Sequence, residues 1–463
     1  MLAQDRNVRG VFASGDFNAF YCGATLVSAH IDPYLATPLE SCERARTLVP
    51  GVTPLPAGIS PAPVPGYVLA LVVPLSLLPF VVAAAVWYAF LIATVIVTVE
   101  LLRALTALPR AAIAAAVLGT DIVASVTYGQ LAPLATLGIA AGALALSRDR
   151  PRRAALACAL VLLQPQVAIG PIASLLLFQP RTRVAVAGVC AVLGLVSLGA
   201  IGLAANVEYM RSVVSAQALA EVPFAIQFSL TWLLTFFGTS DVVALRIAWI
   251  EYAGMLVAGV LLGGLFAKRL NLREALVVVP AATVLLGGTY LHVFQIAAAI
   301  PCALVLAARV KAARVPAWIA VALLAVPWEA MGSRLIVALS AVAVATIAWT
   351  ALSGRPALVR TAAACAAVAF VVLEPIAVAH VPNTIVRPAP AVAGLLATGV
   401  DPRLASGAHG VALRERPQLV EASWRTFAQK IPQWAGLGAL FAALGAAAVA
   451  AAKRRPALST SKA

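Results

Sequence analysis

Few side chains in this sequence could act as acids or bases, and Asp16 is the most prominent of them. The chain contains 18 Asp and Glu residues and 4 His residues among 463. Asp16 stands in the stretch Gly-Asp-Phe-Asn, shortly before Phe20 and Tyr21. A carboxylate at a membrane surface, walled by aromatic rings, could take a proton from an attacking hydroxyl. The alternative is structural, because Asp is a preferred cap for the helix that we predict over 17–30.

Three glutamines and one histidine stand beside predicted helix ends. Gln164 and Gln166 flank a proline. Their amides could bind phosphate or sugar hydroxyls, or they could satisfy the backbone groups that the proline frees. Gln130 opens another predicted helix. His292 follows Tyr290 in the stretch GGTYLHVF, and it is either a ligand-binding residue or a packed or capping one.

Charged residues also interrupt turn and apolar sequences. Asp32 and Tyr34 lie in Asp-Pro-Tyr, which is typical of a turn and could also contribute to a site. Asp121 lies inside an apolar run with no obvious partner, where a carboxylate indicates either a function or a hydrogen bond within the bundle. Arg246 and Glu251 interrupt one apolar run, and they could pair or lie near the outer interface.

Several motifs that would indicate other chemistry are absent from the sequence. There is no phosphate-binding loop of the form G-x-x-x-x-G-K-[ST] and no His/Cys cluster with metal-ligand spacing. There is also no Asp-x-Asp pair of the kind that holds a divalent ion for a nucleotide sugar. We therefore expect no metal, no cofactor and, for a transferase, no nucleotide donor.

The composition indicates a protein embedded in lipid. Hydrophobic residues make up 62% of the chain and charged residues 11%, and the mean hydropathy is +0.97. Apolar runs long enough to cross a bilayer occur at 184–204, 242–267, 336–352 and 434–452. Because the runs lack the alternation of a barrel, we predict an all-α polytopic membrane protein, a helical bundle with about 11–13 membrane helices and outer-face loops.

The net charge of +15 is concentrated between the apolar runs. Basic clusters lie at 148–153, 181–183, 268–273, 309–314, 355–360 and 453–455. Such clusters are typical of cytoplasmic loops, so we expect no nucleic-acid partner. We expect an inner-membrane protein with a cytoplasmic C-terminus and a site that faces the periplasm or exterior. The residues then placed outside are Asp16, Asp32, Glu40, Glu43, Gln130, Gln164, Gln166, Gln227, Tyr290, His292, Glu329 and Arg334.

The predicted topology divides the chain into five segments. They are an outer-face N-terminal region with the candidate acid at 1–65, the transmembrane bundle at 66–379, an outer-face loop at 380–431, a final membrane helix at 432–452 and a cytoplasmic tail at 453–463. Within the bundle, residues 154–178 form either one long span or two short helices broken at Pro165. The basic clusters on both sides favour two helices, because they place both ends inside.

The N-terminal region raises two further expectations. Cys22 and Cys42 lie on the predicted outside, where disulfides persist, and we predict that they pair; the alternative is two unrelated thiols. The region lacks the apolar segment of a signal peptide. We therefore expect either that the first span, after Val64, carries it across the membrane as a reverse anchor, or that a membrane helix precedes the given start.

Several short motifs follow one another in an order typical of one family. They are Gly15-Asp16-Phe17, Tyr21-Cys22, Asp32-Pro33-Tyr34, the stretch PAPVPGYVLALVVPLSLLPFVVAAAVWYAF at 61–90, Gly129-Gln130, Gln164-Pro165-Gln166 and Tyr290-Leu291-His292. The ordered set resembles glycosyltransferase family 87 over residues 15–309. This family consists of polytopic GT-C membrane enzymes and includes polyprenol-phosphate-mannose-dependent α-mannosyltransferases.

The resemblance implies an inverting transferase of a mannose-like hexose. Its donor would be a polyprenyl-phosphate sugar, its acceptor a lipid or glycan, and membrane lipid would surround both. It implies that Asp16 is the general base and that polar residues at the outer face hold the donor phosphate and sugar, with no obligatory metal. The residues expected in that second role are His292, Gln164, Gln166, Gln130, Tyr290 and, from topology alone, Arg334.

The sequence departs from the family at one position that bears on function. Gln164-Pro165 stands where the family has Lys-Pro, which removes a cation from the surroundings of a leaving phosphate. An inactive relative is therefore one alternative function. A carrier or transporter of lipid-linked sugars is another, and it would place internal repeats and paired charges near the bilayer midplane.

Overall fold

The structure, a computed structural model, describes residues 16–45, 62–214, 227–288, 291–387 and 422–454, together with Ala218 and Val222. These residues are almost entirely helical. In chain order the helices are α1 Asp16–Ser28, α2 Ala36–Arg44, α3 Gly66–Ser76, α4 Phe80–Thr106, α5 Arg110–Leu118, α6 Ile122–Tyr128, α7 Ala132–Ser147, α8 Pro151–Val161, α9 Pro165–Phe178, α10 Arg183–Glu208, α11 Leu230–Phe236, α12 Asp241–Arg269, α13 Ala275–Thr283, α14 Ile300–Arg309, α15 Arg314–Leu324, α16 Arg334–Ala351, α17 Ala357–Ala379 and α18 Trp424–Lys453. Short 3-10 segments lie at Pro180–Thr182, Val293–Ala299, Lys311–Ala313 and Trp328–Ala330, and a π-helical turn at Tyr209–Val213.

Seven helical segments of the described chain are long and apolar enough to cross a membrane. They are Phe80–Thr106, Pro180–Arg211, Asp241–Arg269, Lys311–Ala330, Arg334–Ala351, Ala357–Ala379 and Trp424–Lys453. The pair α5 and α6, bent by 54°, makes an eighth if it counts as one span. Large apolar side chains such as Val184 and Leu358 are 87% and 81% exposed, as on a lipid-facing surface. The predicted all-α polytopic membrane protein is confirmed.

Four shorter apolar helical segments complete the bundle. They are Gly66–Ser76, Ala132–Ser147, Pro165–Phe178 and Val293–Arg309. A straight crossing of the hydrocarbon core takes about 20 helical residues. The predicted total of about 11–13 membrane helices therefore counts segments that are short for a complete crossing.

The region 154–178 consists of two short helices. Helix α8 ends at Val161 and α9 begins at Pro165, so the favoured prediction for this region is confirmed. Proline is well suited to the first position of a helix, because the N–H that it lacks would have no partner there. The break thus leaves Gln164 immediately before α9.

The last helix begins earlier than the predicted boundary at 432. Helix α18 starts at Trp424, and the Ser423 side chain caps it by accepting a hydrogen bond from the Thr426 backbone N–H at 3.2 Å. Pro432 therefore lies inside the helix. Just before the cap, Ala422–Ser423 pairs antiparallel with the strand Ile385–Arg387, which follows α17. The remainder of the predicted outer loop and tail, 388–421 and 455–463, lies outside the described residues.

The basic ends of the helices meet at one face of the bundle. Asp149, after α7, forms ion pairs with Arg273 and, at 3.7 Å, with Arg181. The Arg309 guanidinium donates to the Leu105 carbonyl at 2.7 Å. Arg269 donates to the Arg454 carbonyl at 3.0 Å, so the end of α18 lies at this face as well. Arg309 also interacts with Glu274, the neighbour of Arg273. The basic clusters at 148–153, 181–183, 268–273, 309–314 and 453–455 thus share one face, which we call the basic face.

Candidate functional site

Asp16 begins helix α1 and is held by Gln130. The amide Nε2 of Gln130 donates a hydrogen bond to Asp16 Oδ2. This contact depends on Gly129, whose φ of +75° is the left-handed conformation that glycine tolerates. A Cβ on Gly129 would lie 2.7 Å from the Phe17 Cβ, so only glycine lets the two backbones approach this closely. The Gly129-Gln130 motif therefore contacts Asp16 and Phe17 directly.

Aromatic side chains pack against the start of α1. The Phe17 ring stacks with the rings of Phe80 and Trp87 at centroid distances of 6.0 and 5.6 Å. The Trp87 indole N–H donates to the Gly129 carbonyl at 2.9 Å, which anchors the turn that carries Gln130. Asp16 itself is partly exposed at the helix N-terminus, where the helix dipole favours a carboxylate. The helix runs over Asp16–Ser28, close to the predicted 17–30.

A disulfide and a turn stabilise the rest of residues 16–45, which we call the N-terminal unit. Cys22 in α1 is bonded to Cys42 in α2, with Cα atoms 5.7 Å apart. Asp32 Oδ1 accepts a hydrogen bond from the Tyr34 backbone N–H at 2.9 Å, the side-chain geometry of a turn. The Tyr34 hydroxyl donates to the Val64 carbonyl at 2.8 Å, and burial, followed by the nearby Tyr209 and Asp32, raises the pKa of Tyr34. Asp32 and Tyr34 thus build the turn.

His292 stands at the start of the 3-10 segment Val293–Ala299 and is positioned by Gln227. A β-bridge joins Gln227 to His292, and Gln227 Oε1 accepts from the Leu291 backbone N–H at 3.0 Å. The Phe294 ring lies 5.9 Å from the His292 ring and 5.4 Å from the Tyr128 ring. Since Tyr128 is two residues before Gln130, this ring contact connects the His292 segment to the Asp16 pair. Tyr290 lies outside the described residues.

The break before α9 contains Gln164, whose buried side-chain amide oxygen has no hydrogen-bond partner within the described residues. The Tyr67 hydroxyl donates to the Leu162 carbonyl, and the Tyr252 hydroxyl donates to the Gln166 carbonyl at 2.6 Å. Tyrosines, and not the glutamine amides, therefore satisfy these carbonyls. Gln164 is only 7% exposed, and its Oε1 is buried with no hydrogen-bond partner in the described part of the chain.

Arg334 is separate from these groups. It is the first residue of α16 and is exposed. Among the described residues, no hydrogen bond or ion pair connects it to Asp16, Gln164 or His292. Its role in donor binding remains a prediction from topology.

A buried charged group that the sequence did not reveal lies beside the His292 segment. Lys430 in α18 is 0% exposed, and its Nζ lies 2.9 Å from Glu329 Oε1. The same ammonium lies 4.2 Å from the Phe228 ring and 4.7 Å from the Trp232 ring. The Phe228 backbone N–H donates to the Leu291 carbonyl at 2.7 Å, so Lys430 packs against a residue next to the bridge between Gln227 and His292.

Asp121 belongs to this charged group. Gln433 Nε2 donates to Asp121 Oδ2 at 2.9 Å, which is the hydrogen bond within the bundle that the sequence left open as one alternative. The partner was missed because 312 residues separate the two. One signal was available: Lys430, Gln433 and Leu437 follow the spacing of one helix face, and all three are buried.

The candidate residues lie one helix length away from the basic face. Helix α7 has 16 residues and α9 has 14, which gives about 24 and 21 Å from Gln130 and Gln164 to their basic ends. The segment Val293–Arg309 after His292 spans about 29 Å. Gln130, Gln164 and His292 therefore lie toward the opposite face of the bundle.

Two open cavities lie instead near the basic face. One, of about 700 Å³, is lined by Glu100, Arg103, Arg110 and their neighbours. The other, of about 440 Å³, is lined by residues 150–153 and Arg181. Neither contains one of the candidate residues predicted from the sequence.

The fold and the site define a polytopic helical membrane protein whose polar candidate residues gather away from its basic face. The sequence profile of glycosyltransferase family 87 matches residues 65–294. The chain thus has a glycosyltransferase family 87 domain over these residues and is a membrane glycosyltransferase of that family, as the ordered motifs predicted. Gln130, Gln164 and His292 lie inside the matched range, and Asp16 precedes it. No curated protein and no solved structure matches the chain.

Proposed function

We propose that this glycosyltransferase transfers a mannose-like hexose from a polyprenyl phosphate to a lipid or glycan acceptor, with inversion at the anomeric carbon. The observation that carries the proposal is the Asp16 carboxylate, partly exposed at the start of α1 and held by the Gln130 amide. A base for this reaction has to meet the acceptor hydroxyl at the membrane surface, where the sugar of a lipid-linked donor lies.

Asp16 is the general base in this proposal. The acceptor oxygen forms a bond to the anomeric carbon while its proton passes to the Asp16 carboxylate. The bond from the anomeric carbon to the phosphate oxygen breaks, and polyprenyl phosphate leaves with the electron pair. The Gln130 amide orients the carboxylate and takes no proton. General-base assistance of this kind contributes about 10²–10⁴-fold to a rate.

The leaving phosphate needs hydrogen-bond donors near the same surface. His292 and Gln166 are the candidates within the matched domain, with Gln130 and Tyr290 beside them in sequence motifs and Arg334 farther along the chain. Helix α9 begins just after Gln164, and the helical segment Val293–Arg309 begins just after His292. Both run to the basic face. A polyprenyl chain would lie between helices while its phosphate reaches this level.

The basic face gives the proposed orientation. Cytoplasmic ends of membrane proteins carry an excess of Lys and Arg, so we place the basic face in the cytoplasm. The C-terminal end of α18 lies there too, because Arg269 bonds to the Arg454 carbonyl. Asp16 then faces the periplasm or exterior of an inner membrane, where Cys22 and Cys42 can stay oxidised.

The test is transfer of labelled hexose from polyprenyl-phosphate-mannose to native lipid acceptors in membranes that contain the protein. Asp16→Asn should lower the rate about 10²–10⁴-fold, because the amide cannot take the proton. Asp32→Asn is the matched control, since an asparagine oxygen still accepts the turn hydrogen bond, and it should stay within about threefold of wild type. Unchanged transfer by Asp16→Asn would exclude Asp16 as the base.

A further inference from the structure

Glu251 places a carboxylate inside the bundle against a glycine. Its Cδ, Oε1 and Oε2 atoms all lie 2.1 Å from the position that a Cβ on Gly287 would take. The carboxylate therefore occupies space that is open only because residue 287 has no side chain. Glu251 lies on the face of α12 that also buries Ala244 and Ala248.

One oxygen of this carboxylate has no partner. Glu251 Oε2 is buried, and no hydrogen-bond donor reaches it within the described residues. Arg246, five residues earlier, forms no ion pair with it in that part of the chain. A buried carboxylate oxygen without a donor is costly, which indicates that a ligand supplies one when it binds.

Gln164 presents a second acceptor of the same kind. Its Oε1 is also buried and unpartnered in the described structure. The two acceptors lie on connected elements, because Tyr252, the neighbour of Glu251, donates to the Gln166 carbonyl at 2.6 Å. Gly287 in turn lies five residues before His292.

Glu251 lies at a similar depth in the bundle to the other candidate residues. Eighteen residues separate it from Arg269, the end of α12 at the basic face, which is about 27 Å of helix. The corresponding distance for Gln164 is about 21 Å along α9. Both acceptors thus lie far from the basic face, within the region of the candidate site.

The chemistry of two acceptors selects the part of the substrate that fits. A phosphate offers acceptors and negative charge, and a nearby carboxylate repels it. A hexose offers several O–H donors, which a carboxylate oxygen and an amide oxygen accept. We propose that Glu251 and Gln164 form a subsite that binds the hydroxyl groups of the donor hexose, apart from the residues that hold its phosphate. This assignment rests on the proposed function.

The experiment measures how much the sugar adds to lipid binding. The affinity of the purified protein is measured for a short-chain polyprenyl phosphate and for the same lipid carrying mannose. The second affinity divided by the first is the ratio that reports the contribution of the sugar to binding. In wild type the sugar should tighten binding. Glu251→Gln and Gly287→Ala should each lower that ratio about 10- to 100-fold, the usual effect of losing a hydrogen bond to a charged group. Gln164→Leu should lower it less, because a neutral acceptor is lost.

Matched variants separate this effect from damage to the fold. Glu374→Gln removes another carboxylate with a buried, unpartnered oxygen in the described chain, and Gly254→Ala adds a methyl group where nothing lies within 4 Å. Both should keep the wild-type ratio. Gly287→Ala should fold, because the group it displaces is the flexible end of a side chain. In all variants the affinity for polyprenyl phosphate alone should stay near that of wild type.

The outcomes distinguish the two proposals. If neither lipid binds to wild type, the lipid-phosphate donor is wrong and the subsite is rejected with it. If both bind but Glu251→Gln and Gly287→Ala keep the wild-type ratio, the subsite alone is overturned. Donors that lack one hydroxyl give a second reading: the deoxy sugar that weakens wild type should weaken Glu251→Gln little further.

Discussion

The buried cation at Lys430 should make the protein unusually sensitive to its removal. Lys430 is fully buried and pairs with Glu329 at 2.9 Å, and Asp121 is a second carboxylate that interacts with the same ammonium. At this distance the attraction of one pair is about 6 kcal/mol for an effective dielectric constant near 20. Lys430→Met leaves two carboxylates beside each other with no cation, so we expect a loss of about 3–5 kcal/mol in the free energy of unfolding.

The other members of the group should respond differently. Glu329→Gln leaves Asp121 to balance the ammonium, and we expect a loss of about 1–2 kcal/mol. The double variant Lys430→Met/Glu329→Gln removes one charge of each sign and should recover about 2–3 kcal/mol of the loss caused by Lys430→Met. Asp121→Asn should be close to neutral, because its new amide N–H can donate to Gln433 Oε1, a buried acceptor with no partner in the described structure.

The chain supplies its own reporter for this measurement. Cys158 and Cys302 are 1% and 0% exposed, whereas Cys190 and Cys365 are exposed. In a background with Cys190→Ser and Cys365→Ser, maleimide labelling of the two buried thiols follows unfolding in mixed micelles of increasing denaturing detergent. Lys268→Met, at an exposed lysine, should stay within about 0.5 kcal/mol of wild type. The reasoning fails if Lys430→Met matches that control, or if the double variant is no more stable than Lys430→Met.

Three further predictions concern the N-terminal unit. Replacing Cys22 and Cys42 by Ser should lower the free energy of unfolding by about 3 kcal/mol, from the loop entropy of a 20-residue separation. The replacement should also speed proteolysis between α1 and α2. A reducing agent should raise the cleavage rate of wild type to that of the variant and leave the variant's rate unchanged. Gly129→Ala should lower transfer at least tenfold by moving Gln130 away from Asp16, whereas Gly332→Ala, with open space around it, should not; equal rates would refute the close approach. The pKa of Tyr34 is raised in the folded protein above its ordinary value of 10.0. As pH rises beyond about 10, Tyr34 therefore loses its proton in the unfolded chain before it does so in the folded protein, and the free energy of unfolding should fall. Tyr34→Phe should show a shallower fall over the same range, and an identical slope in denaturant titrations would contradict this.

The sequence was a good guide wherever the evidence was local. Apolar runs predicted the long helices, because length and hydropathy alone decide which segments can cross lipid. Pro165 predicted the break before α9, since proline suits a helix start and interrupts a helix interior. The pairing of Cys22 with Cys42 was also within reach, because few cysteines lie in the polar N-terminal region.

Contacts between distant segments were beyond local reasoning. No pattern near Asp121 names Gln433, and Lys430 pairs with Glu329 across 101 residues. The final membrane helix was predicted to begin at 432 because its apolar run begins at 434, although Ser423 offers a cap for an earlier start. The sequence likewise could not predict that side-chain oxygens of Glu251 and Gln164 are buried without a hydrogen-bond partner in the described structure, because this depends on how separate helices pack.

The bond between Asp121 and Gln433 has a consequence for the order of synthesis. A ribosome adds about 5–20 residues per second, so the 312 residues between them take about 15–60 s to make. During that time the bend between α5 and α6 carries a carboxylate whose final partners, Gln433 and Lys430, do not yet exist. Until α18 emerges, the Asp121 carboxylate must therefore be solvated by water or by other polar groups, such as those of the insertion machinery. A nascent chain that ends before Trp424 should keep this bend open to the outside and accessible to water-soluble thiol reagents at a cysteine placed beside it.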